Sequence, residues 1–531
     1  MKNVIKKMFS FMLVLALVIT IVPTANVKAE DYAGDNGKVT IKNVTKDNTL
    51  VGYKIIEIKY NSDNTVSYEW ATGVADAIKA MNNNTDMTVE DFAAIDDNED
   101  RQKLLSGVPS ILTGTPDLTA QKPTVTGDAL EGTVTWSDVP LGGYLIMPTS
   151  TTDVYQIMVA IVQPELDTND EYVTTSDTID AKKTPIGIEK TVDDETTGDS
   201  KIVTYTIMAD VPVYEDGAID VTYIIGDKLS SGLTFDKDSL KVYGYTVARD
   251  SVRDSTTATE LGSLIPSTTY TGLYTGTEGG TVDSVAQTFV LTFEYDGTEN
   301  SGADLKTLGI KTIKIVYKAK LNDDAVIGSA GNLNEVKMEY THYPFTENNH
   351  KYATDDEKVY TFQLDIDKVA SDDNTKKLEG AEFEVYLKVE DSDTTIDSNK
   401  YPNTAYVTNA TVSALPTGNF VNVGTITTDT NGKASLKNLD AGTYYLVETK
   451  APNGYTLPTS AFEVTIDKDG TDTNLDKTTY IYTKQIENSK GFVLPETGGT
   501  GTVIFTAVGV SLMLVAVVAF FVLRKKEMSK N

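Results

Sequence analysis

The 531-residue chain contains no cysteine. That excludes disulfides, thiolate metal sites and cysteine nucleophiles together. Its two histidines, His342 and His350, lie in one short stretch. A Ser-His-Asp enzyme or a His-ligated metal centre needs a better supply. Basic residues are also scarce: 46 Lys and Arg face 77 Asp and Glu, for a net charge of -31. Several of the cations sit at the two ends (Lys2, Lys6, Lys7 and Lys28; Arg524, Lys525, Lys526 and Lys530), so the region between them is more acidic still. Such a surface repels phosphate backbones, and no nucleic-acid partner is expected. Asp and Asn are plentiful and could hold Ca²⁺, but no EF-hand spacing appears, so no metal or cofactor is predicted. What the chain does have is 40% hydrophobic residues and 28 tyrosines, ample for packed cores.

The ends read as targeting segments. Lys2, Lys6 and Lys7 precede an apolar run from Met8 to Val22 and then Val27-Lys28-Ala29. A basic start, a short apolar stretch and small residues at a cut site predict a secretory signal peptide over 1–29, with Glu30 as the mature N-terminus. At the other end, Leu494-Pro495-Glu496-Thr497-Gly498 precedes an apolar span from Val503 to Leu523 and a basic tail over 524–531. Span and tail alone would make a type I membrane protein. With LPETG in front of them, the segment 491–531 resembles the cell-wall sorting signal of Gram-positive surface proteins. That resemblance implies cleavage by a sortase between Thr497 and Gly498 and transfer of the threonine acyl group to an amine, leaving no transmembrane helix in the mature chain.

Between the ends three blocks are expected. Residues 30–183 open with β-type runs at Val39–Ile41 and Tyr53–Ile58. Helical patches follow at Gly73–Met81 and about Thr88–Leu105, the second with Thr88 and Asp91 at capping-box spacing. Strands resume near Val134–Trp136, Tyr144–Met147 and Tyr155–Val162. Residues 184–360 and 361–490 are Thr-, Val-, Ile- and Tyr-rich runs punctuated by Gly, Asp and Asn. The predicted fold class is mainly β: tandem immunoglobulin-like sandwiches, the first domain carrying inserted helices.

Strand parity singles out six polar residues, because alternate side chains share a face. In the middle block Lys190 is in phase with Ile186, Ile188 and Val192. Asp227 is in phase with Val221, Tyr223 and Ile225, and Asn334 with Val336, Met338 and Tyr340. In the last block Lys368 follows Phe362, Leu364 and Ile366; Glu448 follows Tyr444 and Leu446; Asn488 follows Tyr482 and Ile486. Each of the six could be a strand-end group whose tip reaches water. The repeated Lys–acid–Asn order suggests a chemical alternative. Burial drives a lysine towards the neutral amine and an acid towards the protonated form. A protonated acid hydrogen-bonded to the Asn amide carbonyl would polarise it. The amine would then attack and expel ammonia, leaving a Lys–Asn isopeptide bond. This is a single-turnover self-modification, with Asp227 and Glu448 as the promoting acids, and no enzyme activity beyond it is expected. Each pair is expected to join the first strand of its domain to the last.

The segment Tyr444-Tyr445-Leu446-Val447-Glu448-Thr449-Lys450-Ala451-Pro452-Asn453-Gly454-Tyr455 resembles the E-box (YxLxETxAPxGY) of Gram-positive pilins and collagen-adhesin B-type domains. Residues 361–490 are similar to that domain as a whole, and 184–360 resemble the middle domain of backbone pilins. The resemblance implies the same Lys–Asn crosslinks and acids at the positions just named. The first domain departs from it: Gly143-Tyr144-Leu145-Ile146-Met147-Pro148 has Pro148 where the E-box needs Glu, so no efficient bond of that type is expected there.

Polymerising pilins use an accepting lysine between the first and second domains, usually in a Tyr-Pro-Lys motif. Here the matching place reads Ile179-Asp180-Ala181-Lys182-Lys183-Thr184-Pro185. Parity puts Thr178, Asp180 and Lys182 on the polar face, making Lys182 the expected acceptor and Lys183 the alternative. The expected function is the major subunit of a covalent, sortase-polymerised pilus attached to peptidoglycan. Its expected partners are pilin-specific and housekeeping sortases, identical subunits and other pilins. The alternative is a non-polymerised, wall-anchored adhesin that binds a host surface. A glycosidase-like carboxylate pair is disfavoured, because chance pairs abound in so acidic a chain.

Overall fold

The computed structural model describes residues 36–491 and 500–528, apart from 62–64, 96–97, 113, 150–152, 167–171, 200, 215–217, 219, 253–258, 264–273, 297–303, 345–347 and 390–405. The expected signal peptide and Leu494–Gly498 lie outside the described residues. The chain is mainly β. Its apolar C-terminal helix, Thr500–Met528, contains a stretch, Val503–Lys526, long and apolar enough to cross a membrane.

In the first block the strands Leu50–Tyr60, Val66–Trp70, Gly142–Pro148 and Met158–Val162 form one sheet, and Gly37–Thr45, Glu131–Val139 and Asp177–Asp180 another. Two apolar clusters flank the larger sheet. Val39, Ile41, Trp136 and Tyr144 fill the space between the sheets. Ile55, Leu145 and Val159 instead face the helices through Val74, Ile78, Phe92 and Leu105. The helical region is Val74–Met81, Val89–Ala93 and Asn98–Leu105. The single patch expected over Thr88–Leu105 is thus two separate helices, in keeping with the consecutive aspartates Asp96 and Asp97 in the sequence between them, a residue type that favours turns and caps. The capping box is present: Asp91 N–H donates to Thr88 Oγ1 at 3.1 Å, and Thr88 N–H donates to Asp91 Oδ2 at 3.2 Å.

The middle block is a sandwich of two five-stranded sheets. One contains Ile188–Val192, Ile202–Asp210, Thr312–Leu321 and Leu233–Tyr245; the other contains Tyr223–Leu229, Phe289–Phe293, Asn332–Thr341 and His350–Val359. Alternation sets its core: along Asn332–Thr341, Asn334, Val336, Met338 and Tyr340 are all buried. The last block pairs Phe362–Ala370 in parallel with Ile481–Asn488, and packs that sheet on one containing Glu382–Val389, Asn419–Thr427 and Gly442–Lys450.

One expectation needs correcting. Asn488 lies on the last strand of its block, but Asn334 does not: His350–Val359 follows it and pairs along the whole of Asn332–Thr341. A further hairpin strand, rich in charge and therefore at home on a sheet edge, closes the middle sandwich.

The middle and last blocks meet through a buried ionic contact that the sequence did not suggest. Lys201 Nζ lies 2.7 Å from Asp440 Oδ2 and 2.6 Å from Asp194 Oδ2, with Lys201 and Asp440 side chains only 7% and 8% exposed. Backbone bonds flank it: Tyr360 N–H donates to Glu195 O at 2.9 Å, Thr197 N–H to Tyr360 O at 2.9 Å, and Asp199 N–H to Asn438 O at 3.0 Å. Gly198 is needed for this approach, since a Cβ there would stand 2.8 Å from Asn438 O. Burial alone would lower the Lys201 pKa, but Asp440 and Asp194 outweigh it and hold the value above that of an ordinary lysine. Removing one partner of a buried pair strands the other charge, at about 3–5 kcal/mol. Lys201→Met should therefore uncouple the two sandwiches. Calorimetry should show their transitions moving apart, and proteolysis near Tyr360 should accelerate. An unchanged melting profile would contradict the coupling.

Candidate functional site

The structure brings each Lys–acid–Asn set together, in two different layouts. In the last domain Lys368 and Asn488 sit on neighbouring parallel strands, where Lys368 pairs with Ile486 and Ala370 with Asn488. Glu448 reaches them from the facing sheet. Lys368 Nζ hydrogen-bonds Asn488 Oδ1 and lies 3.2 Å from Glu448 Oε2, and Asn488 Nδ2 donates to Glu448 Oε1 at 2.6 Å. Both charged side chains are 0% exposed. Water is kept out by rings: Lys368 Nζ is 5.5 Å from the centre of Phe383 and 5.7 Å from that of Phe462. Neither tip reaches solvent, so the strand-end alternative does not hold for this pair.

The E-box residues have identifiable jobs. Tyr444 OH donates to Asp440 O at 2.6 Å and fixes the start of the strand, Leu446 enters the core, and Glu448 carries the acid. Gly454 adopts φ 84, a left-handed conformation that suits glycine. The turn it makes lets Thr456 N–H donate to Ser489 O at 2.9 Å, and Thr456 O accept from Asn488 Nδ2 at 3.2 Å. The motif thus supplies the acid and also holds the amide. Tyr144 OH makes the same local bond in the first domain, to Pro140 O at 2.8 Å, but the strand ends at Pro148, which carries no acid.

In the middle domain the lysine and the amide belong to opposite sheets. Lys190 is on Ile188–Val192; Asp227 and Asn334 are on adjacent antiparallel strands of the other sheet. Lys190 Nζ is bonded to Asp227 Oδ2, and both side chains are 0% exposed. Sequence reasoning expected Asp227 to contact Asn334. Instead Tyr317, from Thr312–Leu321, stands between them: Asn334 Nδ2 donates to its hydroxyl at 2.7 Å, Lys190 Nζ donates to it at 3.0 Å, and it donates to Asp227 Oδ1 at 2.9 Å. Asn334 Oδ1 has no hydrogen-bond partner among the described residues. Tyr317 was hidden because a tyrosine in phase with Ile313, Ile315 and Ala319 reads as ordinary core.

Electrostatics push both pairs the same way. Burial lowers the Lys190 and Lys368 pKa values, which Asp227 and Glu448 only partly restore. Burial likewise raises Asp227 and Glu448 above ordinary carboxyl values, against the pull of their lysines. The pairs are thereby moved towards neutral amine and protonated acid, a nucleophile beside a proton donor. One detail differs from expectation: Glu448 receives the Asn488 N–H instead of donating to its carbonyl. That arrangement suits the ionised pair. Half a turn of the amide about its broad terminal torsion would present the carbonyl to the protonated acid.

The two lysines at the first junction are both half-buried as residues. Lys183 is 8% exposed in its side chain, 3.0 Å from Glu131 Oε1 and 3.1 Å from Asp153 Oδ2, and bonded to Thr45 Oγ1. Burial opposes its charge, but the two carboxylates prevail and raise its pKa. Lys182 is half-buried, its carbonyl accepting from Gln156 N–H at 3.0 Å.

Comparison with known proteins adds to this geometry. Residues 362–480 match a prealbumin-like fold domain family, SpaA, and residues 486–528 match the LPXTG cell wall anchor motif. The chain is 25% identical over 465 residues to the trypsin-resistant surface T6 protein of Streptococcus pyogenes serotype M6, covering 81% of this chain and 72% of that protein. It is 26% identical over 446 residues to the type 1 fimbrial subunit of Actinomyces viscosus, covering 78% of each. In fold it is similar to the T6 backbone pilin of S. pyogenes (TM-score 0.56, 20% identity, 87% of this chain and 99% of that one). It is also similar to the full-length major pilin SpaD of Corynebacterium diphtheriae (TM-score 0.50, 17% identity, 86% and 98%).

The buried pair in the last domain should be intolerant of half-removal. In an Asn488→Ala background, where no bond can form, Glu448→Ala leaves Lys368 buried alone and should cost about 3–5 kcal/mol of domain stability. Lys368→Met with Glu448→Leu should recover most of it, as read by denaturant midpoint. Equal stability of the single and double replacements would contradict the electrostatic account.

Proposed function

We infer that this chain is a pilus subunit of the Gram-positive, wall-anchored kind, and we propose that it is the polymerising backbone subunit whose domains crosslink themselves. The LPXTG anchor match and the similarity to pilins and fimbrial subunits support the subunit assignment. The observation that carries the self-crosslinking is the pair of fully buried lysines, each beside one acid and within reach of one Asn cluster. In the last domain Lys368 Nζ attacks Asn488 Cγ, the Cγ–Nδ2 bond breaks, and one proton passes from Nζ to the departing ammonia, with Glu448 as the shuttle. Lys190 and Asn334 undergo the same exchange beside Asp227. By analogy with a disulfide closing a loop of similar size, for a separation of 120 residues, each bond adds about 4–5 kcal/mol through the unfolded state.

For polymer growth we assign Lys182 as the amine that takes the Thr497 acyl group of the next subunit. Lys183 is sunk between two carboxylates and kept charged, and strand parity places Lys182 on the opposite, polar face of the same junction. A sortase would make each link, and a final transfer to peptidoglycan would end the fibre. Surface extracts should contain a detergent-resistant ladder of multimers that Lys182→Ala collapses to monomer and Lys183→Ala leaves in place. The reverse result would move the acceptor to Lys183. A wild-type monomer in cells with active sortase would instead favour a single anchored adhesin.

The crosslinks predict a particular pH dependence. Burial lowers the lysine values and raises the acid values in the folded chain, so the reactive neutral pair spans only the window between the lowered lysine value and the raised acid value, inside the one set by the ordinary groups. Within it the neutral pair carries as many protons as the ion pair of the unfolded chain, so neither stability nor rate changes with pH there. Below it the amine is protonated as well as the acid; above it the acid loses its proton. Ammonia release from freshly made mature chain (30–497) should therefore follow a flat-topped bell centred near neutrality. A rate rising steadily with pH would mean that the acids take no part.

A further inference from the structure

The two sites hold their amides differently, and the difference falls on one hydroxyl. In the last domain the longer acid, Glu448, touches the amide nitrogen of Asn488 directly. In the middle domain the acid is an aspartate, one methylene shorter, and the group touching the amide nitrogen of Asn334 is Tyr317 OH. That oxygen also meets the lysine nitrogen and the carboxylate. The rings beside Lys190 are Tyr205 and Tyr317, of which Tyr317 makes the hydrogen bonds to lysine, acid and amide, whereas those beside Lys368 are Phe383 and Phe462, which carry no hydroxyl.

We propose, building on the self-crosslinking reading, that Tyr317 is a catalytic residue of the middle-domain site, its hydroxyl passing the proton from the attacking Lys190 amine to the departing Asn334 nitrogen. Lys190 Nζ adds to Asn334 Cγ, one Nζ proton moves to the Tyr317 oxygen, and the Tyr317 proton moves to Nδ2. The Cγ–Nδ2 bond then breaks and ammonia leaves. One C–N bond forms and one breaks, and Tyr317 and Asp227 end as they began. Burial drives the extra lysine proton onto Asp227, whose carboxyl also orients the hydroxyl.

The surroundings suit a relay. Tyr317 is fully buried, stacks on Tyr205 with ring centres 5.5 Å apart, and meets Phe289 edge-on at 5.3 Å, so the hydroxyl has little freedom to wander. Burial and the nearby Asp227 carboxyl raise its pKa far above that of free tyrosine, so it stays a phenol with a proton to hand on.

The test follows intact mass and crosslinked peptides of the mature chain (30–497) during cell-free synthesis. The unmodified chain should lose two ammonias. Tyr317→Phe should lose the last-domain ammonia on the same schedule and the middle-domain one about a hundredfold more slowly, the lower end of what a positioned proton-transfer group contributes. Adding Asp227→Glu should restore much of that rate by letting the acid reach the amide, as Glu448 does. Should Tyr317→Phe prevent folding, as judged by protease digestion, a ring-fluorinated tyrosine at 317 keeps the hydroxyl and alters its acidity, and the middle-domain rate should change with it. Loss of both ammonias at the normal rate in Tyr317→Phe, or a rate indifferent to fluorination, overturns the relay while leaving self-crosslinking intact. Loss of no ammonia from the unmodified chain overturns both.

Discussion

A lysine amine taken out of water beside a single acid is the constraint on which the two C-terminal domains depend. Paired charges in a dry interior seldom recover their full desolvation cost. A proton shared towards the acid removes both charges at once, and a covalent bond would remove the amine from titration altogether. The cores are arranged to impose that choice. Phe383 and Phe462 wall in Lys368, and Tyr205 and Tyr317 wall in Lys190. In a secreted chain without cysteine, this is a route to covalent reinforcement that needs no oxidant, only a well-packed interior.

The layouts of the two sites bear on how tension would pass through the molecule. In the last domain the crosslink would tie neighbouring strands of one sheet, first to last, so that pull entering at Phe362 could leave beyond Asn488 without loading the core. In the middle domain it would tie opposite sheets and leave the hairpin beyond Asn334, through Val359, outside the protected loop. Pull from the last domain reaches that hairpin at its open end, where Asn332 pairs with Val359. The junction lies at this weak point. Tyr360 is bonded through both N–H and C=O to Glu195 and Thr197, just past the strand that carries Lys190, and the Lys201 pair clamps the same place. Covalent and ionic restraints would thus act in series.

Much of this could be read from the chain because strands report burial by parity. Lys190, Asp227 and Asn334, and Lys368, Glu448 and Asn488, stand out as polar residues among in-phase apolar ones. The rest was hidden for identifiable reasons. Tyr317 is apolar enough to pass as core, and only its contacts give it a role. Lys201 opens a strand like any solvated lysine, and its partner Asp440 is 239 positions away. In the first domain parity fails outright: Met158–Val162 is buried at every position because its sheet is covered on both faces. Such strands read as continuous apolar runs that do not reveal a preferred side.

Lys183, Lys190, Lys201 and Lys368 all have deeply sunk side chains, and their surroundings divide them cleanly. Lys183 lies between Glu131 and Asp153, and Lys201 between Asp194 and Asp440. In each case two carboxylates outweigh burial and keep the ammonium charged. Lys190 has one acid and a tyrosine hydroxyl, Lys368 one acid and an amide, and in both burial wins. A sunk lysine is therefore held charged or driven towards neutrality according to whether its second neighbour is a carboxylate or a neutral group. A second carboxylate at either crosslinking site would restore the charge on the amine and remove its reactivity. An amide near Lys183 would not suffice to create a site there, because Glu131, with its side chain 49% exposed, keeps that pocket in contact with water. Pro148 leaves the first-domain strand without the acid of the E-box, and the sunk lysine of that domain, Lys183, is held charged by two carboxylates.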